Sequence, residues 1–312
     1  MLFDFPGADT HISDHLADTA FARPQTRTRW GVDSEYGRLT DVMVSPPPHL
    51  EIMPCNSVAV DAFAQGIVAC AATAERQHAA LLRALRDEGV RCATVPADEA
   101  MPDLSFTRDA TLMTPWGLLA LRPAVGHRRE EVAHVVATAR SWGVTYIGAI
   151  EEGTVEGGDI CLLRPGIVVI GWSGERTSKT GALATANLFE ARGWRAIVTH
   201  FNPHFLHLDT LFAMVDGSRA VACIEALDPA FIGEIRALGI DILPITPFEV
   251  QRLGANLLSL GDRRILSSAG NSRVNLALSA LGYRVIAVDI SQFTQCGGGV
   301  HCLTMPLARI TA

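Results

Sequence analysis

From position 109 onward, apolar and polar positions recur in a unit of about fifty residues. Residues 109–113 read as a strand, Pro115-Trp116-Gly117 as a turn and 118–121 as a second strand. A helical pattern at about 129–141 and a third strand at 145–150 complete the unit. The next pass runs 159–163, turn Arg164-Pro165-Gly166, 167–172, helix 180–192 and strand 196–200. The third runs 209–215, turn Asp216-Gly217-Ser218, 220–224, helix 229–238 and strand 240–245. A fourth covers 256–260, turn Gly261-Asp262, 264–267, helix 272–281 and strand 284–289. Each is a ββαβ module whose hairpin is signalled by Gly, Pro or Asp.

The chain ends supply a fifth unit. Residues 302–307 read as its first strand and 38–44 as its second, stopped by Pro46-Pro47-Pro48. One long helix over 58–88, ended by Gly89, and a strand at 90–95 finish it. Five equivalent units, none able to bury its apolar face alone, predict a closed α/β ring around one axis. Residues 36–312 are therefore expected to form a single domain, preceded by an irregular segment, 1–35.

Composition limits the possible functions. The formal net charge of -7 argues against a nucleic-acid footprint. No apolar run approaches the roughly 18 residues needed to span a bilayer. The first twenty residues carry scattered His and Asp and no apolar core, so no signal peptide is expected. The seven cysteines are widely spread without a CxxC pair, which fits a reducing, cytoplasmic setting and predicts no zinc site. Oligomeric state stays open; a homo-oligomer is allowed.

The repeat has a chemical consequence. The residues opening the first strand of each module are Asp109, Asp159, Asp209, Asn256 and Cys302, spaced by 50, 50, 47 and 46 residues. Approximate five-fold symmetry would turn all five toward one end of the axis. Cys302 follows Gly297-Gly298-Gly299-Val300-His301, an approach that lets backbone or ligand come close. Alone, it reads equally as a buried structural thiol or as a reactive one. Three further signatures flank the ring: Phe106-Thr107-Arg108-Asp109, Val155-Glu156-Gly157-Gly158-Asp159 and Phe205-Leu206-His207-Leu208-Asp209. Singly, each fits a plain turn, a core histidine or a solvated ion pair.

In this order they resemble the guanidino-group modifying superfamily, which includes arginine deiminases, dimethylarginine dimethylaminohydrolases, agmatine deiminases and amidinotransferases. The resemblance runs from Arg38 to the C-terminus and implies a five-bladed α/β propeller. It makes Cys302 the nucleophile, His207 the general acid/base and Glu156 the residue that orients or charge-supports the pair. Asp109 and Asp209 would bind the substrate guanidinium, Arg176 and Arg128 its α-carboxylate, and Asp159 is a further substrate-binding candidate. No metal or organic cofactor is implied, and the partner is a small guanidino compound. Asp103 stands where the arginine deiminases often place Asn, and Gly297 where they tend to have Arg.

Those roles suit the chemistry. A guanidinium is a poor electrophile, so covalent capture by sulfur helps, and carboxylates bind the planar cation in a fork. A free thiol is mostly protonated at neutral pH. A cation at about 4 Å is worth roughly 4 kcal/mol at an effective dielectric of 20, or about three pKa units. Substrate can thus generate the thiolate that attacks it. The expected reaction is hydrolysis of arginine or methylated arginine to citrulline and ammonia or an amine. Amidinotransfer, deimination of agmatine and a non-catalytic guanidino-binding module are the alternatives.

Overall fold

The computed structural model describes residues 30–310. The irregular segment expected at 1–35 lies outside them up to position 29. Within them the chain runs β1 (Arg38–Val44), α1 (Ser57–Ala64), α2 (Ala71–Asp87), β2 (Arg91–Thr94), β3 (Thr111–Thr114), β4 (Gly117–Ala120), α3 (Arg129–Ser141) and β5 (Tyr146–Ala149). It continues through β6 (Ile160–Arg164), β7 (Ile167–Trp172), α4 (Lys179–Glu190), β8 (Arg195–His200), β9 (Phe212–Asp216), β10 (Arg219–Ala222), α5 (Pro229–Ala237) and β11 (Asp241–Pro244). After α6 (Pro247–Val250) come β12 (Leu258–Gly261), β13 (Arg264–Ser268), α7 (Ser272–Ala280), β14 (Arg284–Val288), α8 (Ser291–Thr294) and β15 (Met305–Ile310).

The strands form five three-stranded sheets, β15-β1-β2, β3-β4-β5, β6-β7-β8, β9-β10-β11 and β12-β13-β14. In each, the first two strands are antiparallel and the third joins parallel through a helical crossover. The fold is the five-bladed α/β propeller that the modules predict. Burial follows position in the blade. β3, β4 and β12 are buried throughout, whereas the outer strands β2, β5 and β11 are exposed at both ends and half-buried between. The ring closes where β15 pairs with β1, with Met43 opposite Met305 and Arg38 opposite Ile310. Among the described residues no helix is long and apolar enough to cross a membrane.

Two expectations are corrected. The long helix over 58–88 is two helices. α1, capped by the Asn56 side chain accepting from the Ala59 N–H, ends in a Schellman motif. Gly66 takes φ +70° there, Ile67 N–H donates to Ala62 O and Gly66 N–H to Phe63 O. A pattern of apolar residues continuous across the break concealed it. α2 then turns Ala74, Leu81 and Leu85 inward; burying each Leu contributes roughly 2 kcal/mol.

The second correction concerns the polar ring. Its residues precede the first strands instead of opening them, because each module starts with a tight turn. The backbone N–H of Asp109, Asp159, Thr210, Asn256 and Thr304 bonds to the carbonyl three residues earlier, on Phe106, Glu156, His207, Leu253 and His301. Asp109, Asp159 and Asn256 keep the expected register. Asp209 and Cys302 fall one and two residues short of it, so their side chains leave the turn differently.

Candidate active site

The same turns explain how the candidate residues meet. Glu156 and His207 both open a turn in extended backbone, at φ -122° and -145°, so their side chains project from equivalent places in adjacent blades. His207 Nε2 lies 2.8 Å from Glu156 Oε2. The other Glu156 oxygen accepts from the Ala124 N–H at 3.0 Å and from Arg176 Nη1 at 3.1 Å. Burial opposes ionisation of Glu156, but Arg176 and His207 outweigh it and hold the carboxyl below its ordinary value. Burial likewise disfavours the imidazolium of His207. The carboxylates of Asp109, Asp159 and Glu156 outweigh it and push the imidazole up to about 9. His207 Nδ1 stands 3.8 Å from Asp109 Oδ1 and has no hydrogen-bond partner. That nitrogen is the one free to exchange a proton with a ligand.

Asp109 is fixed on both oxygens, by the Gly158 N–H at 3.1 Å and by Arg128 Nη1 at 2.7 Å. Arg128 is engaged at all three nitrogens. Its remaining donors go to Glu131 and to the carbonyls of Asp103 and Phe106. Arg176 differs. Its Nη1 holds Glu156, its Nη2 has a 3.7 Å contact to Cys55 Sγ, and its Nε has no partner. Of the two arginines, it has donors to offer a ligand. Asp159 Oδ1 accepts from the Leu208 N–H at 2.8 Å, while Oδ2 is buried without a partner. Burial pushes this carboxyl up to about 7. Asp159, like Glu156, joins neither the Cys302 cavity nor the group around its sulfur.

Cys302 Sγ receives a hydrogen bond from Asn256 Nδ2 at 3.0 Å and donates toward Asp209 Oδ2 at 3.6 Å. Asn256 Oδ1 accepts from the His301 and Cys302 N–H groups at 3.0 and 3.3 Å, which fixes the amide orientation. Burial, then the Asp209 and Asp109 carboxylates, push the thiol well above its ordinary range. The Asn256 hydrogen bond opposes this only partly. These groups favour the neutral thiol form of Cys302.

Behind Asp209 runs a chain the sequence reading did not assemble. Asp209 Oδ2 meets His301 Nδ1 at 2.8 Å, His301 Nε2 faces Glu35 Oε2 at 3.4 Å, and Glu35 Oε1 faces Arg108 Nη1 at 3.5 Å. Burial works against the Glu35 carboxylate, yet Arg108 and His301 lower it to about 2. His301 was visible beside Cys302. Glu35 lies where the sequence reads as irregular, and no local pattern announces it.

Cys302 is 2% exposed, against the accessible thiol its glycine approach suggested. It lines a cavity of about 20 Å³ with Asp103, Asp109, Arg128, Arg176, Phe106 and Cys55. That volume suits one water, so an arginine-sized ligand enters only if Cys55, Asn56 or the 296–298 turn moves. The glycines are explained by protein packing. A Cβ on Gly298 would lie 2.2 Å from the Phe106 ring, and one on Gly299 2.4 Å from Asn256 Oδ1. A Cβ on Gly158 would lie 2.6 Å from His207 Nδ1.

Five α/β blades place Cys302, Asp109, Arg128 and Arg176 on one small cavity, with the His207–Glu156 pair next to Asp109, and the relatives of the chain set it in the guanidino-group modifying class. A family model described as N,N dimethylarginine dimethylhydrolase, eukaryotic, matches residues 56–309. The chain belongs to this dimethylarginine dimethylaminohydrolase family. It is 31% identical over 238 residues to the N(G),N(G)-dimethylarginine dimethylaminohydrolase of Pseudomonas aeruginosa, covering 75% of this chain and 88% of that protein. An uncharacterized Bacillus subtilis protein, YkgA, is 30% identical over 92% of this chain and 98% of its own length. The solved Pseudomonas aeruginosa enzyme complexed with citrulline superposes with TM-score 0.71 at 26% identity, over 86% of this chain and 100% of that one.

Proposed function

We propose that the protein hydrolyses a guanidino C–N bond of arginine or N-methylated arginine, releasing ammonia or an amine and leaving citrulline. The observation carrying this reading is a buried Cys302 thiol sharing one cavity with Asp109, Arg128 and Arg176, with a charged His207 3.8 Å from Asp109. Such a site suits a cationic ligand and a charge-triggered nucleophile.

Asp109 and Asp209 take the guanidinium, one on the His207 side and one beside Cys302 Sγ. Arg176, with Nε unused, takes the α-carboxylate. Arg128 keeps Asp109 oriented and adds positive charge to the same end of the cavity. Asp159 acts through the His207 imidazolium, which its charge favours.

The bound cation offsets the Asp209 and Asp109 charges that hold the thiol protonated, and Sγ gives its proton to water displaced from the cavity. The sulfur adds to the guanidino carbon, and His207 gives its proton to the departing nitrogen from Nδ1. The C–N bond breaks, leaving an S-alkylthiouronium. Water, deprotonated by His207, adds to the same carbon. Collapse expels the thiolate and leaves the ureido oxygen. Glu156 holds the imidazole in position through Nε2 and favours its charged form.

The test is a panel of arginine, mono- and dimethylarginine, agmatine and canavanine, read by mass spectrometry for ureido product. Arginine or a methylated arginine is expected to be converted, and Cys302→Ala to abolish turnover. Hydrolysis surviving in Cys302→Ala would overturn the mechanism; no conversion of any carboxylated guanidine would overturn the substrate class.

A further inference from the structure

Three side chains from separate loops meet beside the substrate cavity. The Cys55 sulfur, an Asp103 carboxylate oxygen and a His127 ring nitrogen lie within 4.8 Å of one another. Asp103 is buried, Cys55 is half-buried and the His127 side chain keeps 24% exposure. The trio thus spans the boundary between interior and solvent, and an ion can reach it. Cys55 and Asp103 also line the cavity that contains Cys302.

We propose that Cys55, Asp103 and His127 form a binding site for a zinc-class divalent cation in the wall of the substrate cavity. The donor set is one sulfur, one imidazole nitrogen and one carboxylate oxygen. Thiolate and imidazole select zinc-like metals over magnesium or calcium, which favour oxygen ligands. Metal–ligand bonds of about 2.0–2.3 Å in a tetrahedron separate the donors by roughly 3.3–3.7 Å. The present spread permits that. His127 Nε2 and Asp103 Oδ2, now 2.7 Å apart, need open by only about half an ångström. Three protein ligands leave a fourth position for water or a substrate group.

Charge balance supports the assignment. Two arginines stand close, and either would repel a cation if unpaired. Arg176 is paired with Glu156, and Arg128 with Asp109 and Glu131. What remains at the trio is the Asp103 carboxylate, and a Cys55 thiolate would bring the total to two negative charges. A divalent ion makes the site neutral. Among the described residues the only hydrogen bond of the Cys55 sulfur is the 3.7 Å one from Arg176 Nη2, so no strong bond has to be broken. Ligands from three distant segments carry no sequence spacing, which is why the cysteine pattern predicts no zinc site.

Asp109, Glu156 and His207 also come within 4.8 Å of one another, but they are fully buried and belong to the catalytic centre. The test must separate the two groups. Chelator-stripped full-length Cys302→Ser protein, which lacks the nucleophile, is titrated with Co(II) and followed by absorption. One ion per chain is expected, with a thiolate-to-cobalt charge-transfer band and the strong visible bands of four-coordinate cobalt, displaced by Zn(II). Adding Cys55→Ser should remove the charge-transfer band. Adding His127→Gln instead should weaken binding at least about tenfold, since losing even an outer-shell partner costs 10–100-fold. Circular dichroism checks each fold, and His127→Gln carries the decision if the Cys55 variant does not fold. A thiolate band absent from Cys302→Ser, or one that survives Cys55→Ser, overturns the proposal. So does unchanged affinity in His127→Gln.

Discussion

Glu156 and His207 open equivalent turns in neighbouring blades, and their side chains meet at 2.8 Å, Oε2 to Nε2. The propeller's symmetry sets the separation of the two backbones. The next glycine sets the ring's place. Gly158→Ala would thrust a methyl to 2.6 Å from His207 Nδ1. Because an ångström of misplacement can cost about 100-fold, kcat is expected to fall by about that factor, with the circular dichroism spectrum retained. Wild-type kcat in this variant would contradict the placement of Nδ1 at the reacting nitrogen.

Asn256→Asp replaces a donor to Cys302 Sγ with a third carboxylate beside the thiol. The thiol should rise further, and the pH at which iodoacetamide alkylates Cys302 should move upward. A loss of about 100-fold in kcat/KM is expected, of the size seen when one stabilising donor is removed from an active site. Peptide mapping of the alkylated residue against pH checks it.

His301 is a positioning residue. It holds Asp209 from behind and is itself backed by Glu35. His301→Ala leaves a buried carboxylate with less support, which costs about 1–3 kcal/mol per unsatisfied group. Losses of 10- to 100-fold in kcat/KM are expected. His301→Asn, whose amide nitrogen can replace Nδ1, should restore part of kcat. Equal damage from both variants would assign His301 to packing alone.

Arg176→Lys keeps the charge that pairs with Glu156 and loses the planar fork suited to a carboxylate. The ratio of kcat/KM for arginine over agmatine should drop by about tenfold or more, near the 1.5–3 kcal/mol of a hydrogen bond to a charged group. Steady-state kinetics on the pair would show it. An unchanged ratio would remove Arg176 from the carboxylate site.

Asp159 predicts a pH-dependent stability difference. Burial raises its carboxyl from 3.8 to about 7 in the folded state. The folded chain therefore holds a proton that the unfolded chain releases, and this contribution is complete below pH 3.8 and lost as pH rises through 7. Asp159→Asn keeps the acceptor for the Leu208 N–H and has no such dependence. Relative to wild type it should gain stability between pH 4 and 7 and keep the gain above, by at most ~4 kcal/mol. Urea denaturation at pH 5 and pH 8 separates the cases; equal differences at the two values would refute the shift.

Much of this architecture is legible in the sequence because each blade repeats one local problem. A Gly, Pro or Asp turn, a buried inner strand and an exposed outer strand recur at a spacing that the eye can align. β7 falls where its pattern places it, at 167–172. What the spacing does not carry is the offset inside each turn. Asp209 and Cys302 share a fifty-residue rhythm with Asp109 but sit at other places in the turn, and this offset lets Sγ reach Oδ2. Arg128 and Arg176 look alike as isolated arginines; only their pairing shows that one is engaged at all three nitrogens and the other has its Nε unused. Glu35, Cys55 and His127 come from loops, whose side-chain directions depend on everything packed around them. A break such as Gly66 hides for a related reason. One glycine in an otherwise helical run is tolerated in many helices, and only the turn it closes decides.

The pairing of β15 with β1 also sets an order of events. Thr40 donates to Ala308, 268 residues along the chain, and Cys302 lies just before that last strand. During synthesis β1 must wait with an open edge until β15 has been made. Cys302, the proposed nucleophile, is delivered after the other four blades, and it reaches Asn256 and Asp209 only as the ring shuts. A partly made chain can hold four blades and have no reactive centre. Chemistry and completion coincide.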